Sequence, residues 1–200
     1  GLETLLRHPH EGIFYVFFDN NQRIYTQLAD VPIEAPPFSL DENCRNTRRI
    51  HAALSPYKQT AEESYCHGPE GRSVEIVPAA DGSAAREALK RVLLRLVDED
   101  GVDPGDIVIL SPRSEKNSQW KSDDRLGTLT LSWDMDADAP HTIRVCTIYS
   151  FKGLESSVVI LTELDQAKDE VRDQLIYVGL SRARHHVVVI GELPEPLGTT

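Results

Sequence analysis

The chain has 200 residues, 40% of them hydrophobic and 26% charged, with a formal net charge of −11. That apolar content suffices for one core, or for one domain and a fragment of a second, and excludes a disordered or low-complexity tract. The acidic balance excludes a surface that clamps nucleic acid by charge alone, and no apolar run approaches the ~20 residues that span a bilayer.

In chain order, residues 13–18 form a short continuous apolar run that reads as a buried strand, closed by the loop chemistry of Asp19-Asn20-Asn21. Prolines at 32, 36 and 37 mark a connection, and a domain boundary is expected near 30–38. A helix is expected from Asp41 to about Leu54, ended by Ser55-Pro56, and a polar loop over 57–72. A strand follows at 73–77. Apolar residues at 85, 88, 89, 92, 93, 96 and 97 then mark one face of a helix over about 83–99. Asp103-Pro104-Gly105 is a turn, and 107–110 a short buried strand. Residues 113–141 are mixed and polar, with strand signals at 128–133. Strands are expected at 143–148 and 158–161, a helix from 168 to about 182, and a last strand at 186–190, before a frayed tail. Strands alternating with helices predict an α/β layer with a mostly parallel sheet. The three separated cysteines, Cys44, Cys66 and Cys146, suit buried free thiols in a reducing cytoplasm. No basic-then-apolar leader is present. The chain opens on Gly1 rather than Met, so a piece of a longer protein is expected.

Four constellations offer chemistry, each with a plainer alternative. Asp19-Asn-Asn-Gln-Arg-Ile-Tyr25 follows a strand, where ligands gather in parallel sheets, and Gln22 can bond a phosphate or orient a water; it is otherwise a polar turn. Arg45, Arg48 and Arg49 sit in or near the first turns of the expected helix. Their planar forks suit phosphate, or they pair with Asp41 and Glu42 on a solvated face. In Thr147-Ile-Tyr-Ser-Phe-Lys-Gly-Leu-Glu155, Lys152-Gly153 makes a turn that lets backbone approach a ligand, and Glu155 can accept from a ribose hydroxyl. The hydroxyls of Thr147, Tyr149 and Ser150 can touch a nucleic-acid backbone; the alternative is a plain turn with a surface lysine. Ser181-Arg-Ala-Arg184 ends a helix, with Arg182 directed toward the sheet. Its arginines either meet a phosphate or offset the helix dipole. The acidic end of Leu93-Leu-Arg-Leu-Val-Asp-Glu99 resembles a magnesium-binding strand, but its apolar spacing is helical and it is assigned no catalysis. The paired histidines 8/10 and 185/186 lack companions at metal-ligand spacing, so no metal site is assigned.

Taken in order, these segments resemble motifs III, IV, V and VI of the UvrD-like superfamily 1 helicases, over about residues 14–190. The last two motifs are highly specific. The resemblance implies a RecA-like fold with helices on both faces of the sheet. Residues 1–37 would be the tail of a first RecA-like domain plus linker, 38–193 the second RecA-like domain, and 194–200 a tail. It implies that Gln22, Arg45 and Arg182 address the γ-phosphate of ATP, and that Glu155 and Gly153 meet the ribose. Lys152 and Arg184 would lie on the same nucleotide side. Tyr25 would stack on a base, with Thr147, Tyr149 and Ser150 along single-stranded DNA. The phosphate loop G-x-x-x-x-G-K-[ST] and a strand-borne Asp-Glu pair to hold Mg²⁺ are absent from this sequence. They are expected upstream, in the first RecA-like domain, and without them the chain should not hydrolyse ATP. Tyr149 stands where the family carries histidine, and Thr26-Gln27-Leu28 replaces a tryptophan-arginine-glycine segment. The short span between motifs IV and V predicts a compact, cytoplasmic bacterial translocase, with a fused nuclease or other upstream domain as one arrangement. Rival readings are a non-catalytic regulatory module and an ATPase acting on RNA or protein.

Overall fold

The computed structural model describes residues 38, 40–59 and 63–197. The strand expected at 13–18, the boundary near 30–38, and Gln22 and Tyr25 lie outside the described residues.

The described chain builds a seven-stranded sheet. Its strands are β1 (Glu75–Val77), β2 (Ile107–Ser111), β3 (Arg125–Leu126), β4 (Leu129–Ser132), β5 (Thr142–Thr147), β6 (Ser156–Thr162) and β7 (Ala183–Ile190). Their spatial order is β1-β7-β6-β2-β5-β4-β3. Every pairing is parallel except the β3–β4 hairpin. Three helices complete the layers: α1 (Arg48–Leu54), α2 (Gly82–Leu94) and α3 (Asp169–Ser181).

β2 is buried along its whole length, as a central parallel strand covered on both faces must be. Val108 and Leu110, with Val159 and Leu161 of β6 and Val187 and Val189 of β7, pack against α1 and α3. Ile107 and Ile109, with Ile160 and Val188, pack against α2. Helices therefore cover both faces, as the RecA-like reading requires. On α2, Ala85, Ala88, Leu89, Val92 and Leu93 form the buried stripe. The Asp81 carboxylate caps its start by accepting from the Ala84 N–H at 2.8 Å. A π-helical turn, Arg95–Glu99, extends the helix, and Gly101 ends it at φ +69°. The acidic pair in this turn thus belongs to a helix end, as its spacing predicts.

Three expectations need correction. The first helix begins at Arg48, not Asp41. The Asn43 side chain accepts from the N–H groups of Arg45 and Asn46 at 3.1 and 3.0 Å, an Asx turn that competes with helix. Meanwhile the backbone of 41–43 pairs with Tyr65, and Thr47 becomes the N-cap. The tail is docked at least to Leu197: Tyr57 Oη donates to the Pro194 carbonyl at 2.7 Å, and the Leu197 N–H donates to Asp173 at 2.7 Å. Of the cysteines only Cys146 is buried; Cys44 is exposed and Cys66 half-buried.

The topology sets two working edges. Thr147 ends β5 level with Ser111 of β2, at the carboxyl edge. Ser156 and Ala183 pair at the starts of β6 and β7, at the amino edge. Residues 148–155 carry the chain from one edge to the other, shorter than the dozen or so residues usual for a parallel crossover. Ile148 and Phe151 hold that crossover against the core shared with α1 and α3.

Candidate functional site

Arg45, Glu155, Arg182 and Arg184 meet at the amino edge, although the chain separates the first from the others by more than a hundred residues. The Asx turn at Asn43 shapes the loop that carries Arg45. Buried Asn46 fastens the loop by donating through Nδ2 to the carbonyls of Ser181 and Ala183 at 3.3 and 2.6 Å. Arg45 Nε then lies 2.8 Å from Glu155 Oε2, and Arg184 Nη1 lies 3.9 Å from Glu155 Oε1. Arg184 Nη2 also donates to Ser157 Oγ at 3.0 Å. Glu155 is therefore flanked by two partly exposed guanidiniums. An exposed pair of this kind contributes at most ~1 kcal/mol to stability, so these groups can change partners readily.

Arg182 sits differently. It is 1% exposed, and its Nε donates to the Val178 carbonyl and Ser181 Oγ, both at 3.2 Å. Its Nη2 donates to Ser181 Oγ at 2.8 Å and its Nη1 to the Leu154 carbonyl at 3.3 Å. The side chain is thus buried rather than in water, in keeping with the helical spacing, and braces the turn that presents Glu155. Gly153 has φ +90°, a left-handed conformation that favours glycine, and a Cβ there would meet open space. Backbone geometry, rather than protein crowding, requires glycine at this point. Lys152 is exposed beside it. Arg48 and Arg49 pair with Glu70, at 3.2 and 2.6 Å, and not with Asp41 and Glu42 as their plainer alternative had it.

The remaining candidates lie at the opposite, carboxyl edge. Thr147 Oγ1 accepts from the Ser150 N–H at 2.9 Å, and Ser150 Oγ donates to the Thr147 carbonyl at 3.0 Å. Tyr149 is half-buried against the core shared with α1 and α3, and Ser150 is exposed. The sequence reading treated 147–155 as one constellation; the crossover splits it between the two edges.

Sequence reasoning missed Glu163, a buried carboxylate at the end of β6. Its Oε2 accepts from Ser111 Oγ at 2.6 Å and Ser118 Oγ at 2.7 Å, and its Oε1 from the Gln119 N–H at 2.9 Å. The one local signal was a glutamate closing the apolar run of 158–161. Also missed was the triad of Glu75, Arg95 and His186. Arg95 holds Glu75 bidentately at 2.9 and 2.7 Å, and His186 Nε2 lies 3.5 Å from the same carboxylate. The Arg95 hydrogen bond holds the Glu75 pKa below its usual value, while burial, opposed by Glu75, pushes that of His186 down.

The motif-bearing strands and the helix between them decide the comparison. Residues 142–190 match the UvrD-like helicase C-terminal domain. The match runs from β5 through β7 and so contains Thr147, Gly153, Glu155, Arg182 and Arg184, whereas Arg45 lies outside it. The fold is similar to a crystal structure described as the C-terminal domain of a possible DNA helicase from Lactobacillus plantarum WCFS1. Identity is 20% and the TM-score 0.54, over 78% of this chain and 89% of that one. No curated protein matches the chain. The UvrD-like C-terminal signature thus coincides with the strands that build both edges. Among the described residues, no helix is long and apolar enough to cross a membrane.

Proposed function

We propose that this chain is the second RecA-like domain of an ATP-dependent DNA helicase or translocase that moves on single-stranded DNA. The observation that carries the reading is the amino-edge cluster, in which Arg45 and Arg184 flank Glu155 and Arg182 braces the turn below. Two guanidiniums flanking one carboxylate make a net cationic patch at the rim of the sheet, with the third, Arg182, buried beneath it. Their planar forks suit phosphate oxygens, so the residues present fit a nucleoside triphosphate.

ATP with Mg²⁺, held mainly by a first RecA-like domain, would supply the phosphoanhydride whose hydrolysis drives movement. Arg45 and Arg184 exchange Glu155 for phosphoryl oxygens, which frees the carboxylate to accept from a ribose hydroxyl. Gly153 keeps the backbone at this rim free of a side chain. Arg182 holds Leu154 and Ser181 in place, and reaches a phosphate only after giving up those bonds. At the other edge, Thr147, Tyr149 and Ser150 face single-stranded DNA. Lys152, near the amino edge, adds positive charge to the nucleotide side. Gln22 and Tyr25 would complete the γ-phosphate and base contacts.

The test is ATP hydrolysis by a protein that joins this domain to its first RecA-like domain, with and without single-stranded DNA or RNA. Stimulation by DNA is expected, with Arg45→Ala and Arg182→Ala each lowering turnover by ~10³-fold, the effect typical of removing an arginine from a phosphoryl-transfer site. Hydrolysis that ignores DNA, or follows RNA instead, would sink the DNA-motor reading. The burial of Arg182 is the one observation that favours a non-catalytic interaction module, and a folded protein without hydrolysis would leave that reading standing.

A further inference from the structure

Glu163 combines three unusual properties. It is 7% exposed, and among the described residues no lysine or arginine pairs with it. Its backbone is left-handed, at φ 57° and ψ 28°, where a non-glycine residue is strained. Its two carboxylate oxygens nonetheless accept three hydrogen bonds. Burying a carboxylate is unfavourable unless hydrogen bonds replace its water, and an apolar residue would fill the same space without that cost. Packing alone therefore does not account for a glutamate here.

The partners of the carboxylate give it a task. Ser111, Thr147 and Glu163 stand at the carboxyl ends of three neighbouring strands, β2, β5 and β6. Ser111 is the hinge of the arrangement. Its hydroxyl donates to Glu163 and accepts from the Arg113 N–H at 3.0 Å, and its carbonyl accepts from the Ile148 N–H at 2.9 Å. The other two bonds come from Ser118 and Gln119, which close the 112–119 loop back onto the strand ends. Ser118 Oγ also accepts from the Trp120 N–H at 3.1 Å, and the Trp120 indole donates to Thr162 at 3.3 Å, so the loop is sealed by a fully buried ring.

We infer that Glu163 is a positioning residue for the polynucleotide-facing edge. Its carboxylate locks the end of β2, the 112–119 loop and, through Ser111, the Thr147–Ser150 turn into one rigid rim. The inference rests on the reading of that edge as the side that meets single-stranded DNA. Glu163 does not touch the DNA. Its charge is spent on inward hydrogen bonds, which keeps it from repelling phosphates, while the hydroxyls of Thr147 and Ser150 stay at a fixed spacing.

The experiment measures binding of a fluorescent single-stranded oligothymidylate to the full 200-residue chain at low salt. Local amide hydrogen exchange is followed in parallel. Glu163→Ala is expected to weaken binding about tenfold, the loss of roughly one well-placed hydrogen bond. It should also speed exchange of the Ile148 and Ser150 amides while those of Val159 and Val188 stay protected. Glu163→Gln keeps an acceptor for Gln119 and can donate to both hydroxyls, so it should restore both readouts. Ser118→Ala removes a single partner, gives a smaller effect of the same kind, and serves if Glu163→Ala does not fold. If Thr147→Ala weakens binding but Glu163→Ala and Ser118→Ala do not, the positioning role is wrong and the edge reading stands. Unchanged exchange at Ile148 and Ser150 in a folded Glu163→Ala protein overturns the role as well. A wild-type chain that does not bind the oligonucleotide removes the edge reading, and the inference with it.

Discussion

Asn46 illustrates how one uncharged side chain sets the geometry of a charged site. Its amide reaches two carbonyls on either side of Arg182 and so fixes where Arg45 stands relative to Glu155. Asn46→Ala leaves both carbonyls without that donor in a buried position. It should cost about 1–3 kcal/mol, read from the urea midpoint, whereas Arg45→Ala should cost less than ~1 kcal/mol because its pair is exposed. His186 sets a pH limit on the same fold. Burial holds its pKa below 6.5, so the unfolded chain takes up protons more readily as the pH falls through 6.5. Stability should therefore be complete above about pH 7 and decline on acidification, until the folded form also protonates. Glu75, whose pKa Arg95 lowers from 4.5, should add a separate loss below that value. Denaturant midpoints measured between pH 5 and 8 should slope upward, and a folded His186→Leu variant should reduce that slope, leaving the part due to His51, whose pKa burial also lowers.

Among the elements, α3 and β6 depend on one close approach. Gly179 lies where an added Cβ would meet Leu161 Cδ2 at 2.8 Å, so a side chain there would force buried Leu161 to shift. Gly179→Ala should destabilise the chain by about 1–3 kcal/mol despite the higher helix propensity of alanine, because overpacking outweighs a propensity gain of ~1 kcal/mol. The thermal midpoint checks this, and an increase would show that Leu161 moves aside freely. α3 also explains Arg182. From Gln174 to Ser181 the helix is buried on every side, so the residue that ends it emerges inside the protein. Its guanidinium bonds to neighbouring carbonyls and hydroxyls because water cannot reach it.

For the molecule as a whole, the crossover at 148–155 places the two proposed sites at opposite ends of the strands. In a protein carrying both RecA-like domains, substitutions at the two edges should act independently. Arg184→Ala should raise the KM for ATP and leave oligonucleotide affinity within about twofold, and Thr147→Ala should do the reverse, as expected for sites without shared partners. The double variant should show the product of the two effects; a large excess would mean that the edges are coupled through the crossover. The net charge of −11 adds a further expectation. Binding to DNA should be confined to a local patch and should weaken steeply with salt, since each phosphate contact releases counterions.

Apolar runs and periodicity together revealed the longer elements among the described residues. The continuous apolar runs of β2, β6 and β7, the partial alternation of β5 and the stripe of α2 are local consequences of burial on one face or two. The motif segments from Thr147 to Arg184 were likewise legible, because their order is a property of the chain. The start of α1 was not, because the side chain of Asn43 and the backbone of Tyr65 compete for groups that the helix would use. Nor could spacing reveal that Arg45 meets Glu155, that 147–150 and 153–155 face opposite edges, or that Glu163 is buried. Those facts depend on which strand ends become neighbours, and strand order arises from packing between residues far apart in sequence. The residue types at the site are thus written in the chain, while their division into two edges exists only once the sheet has closed.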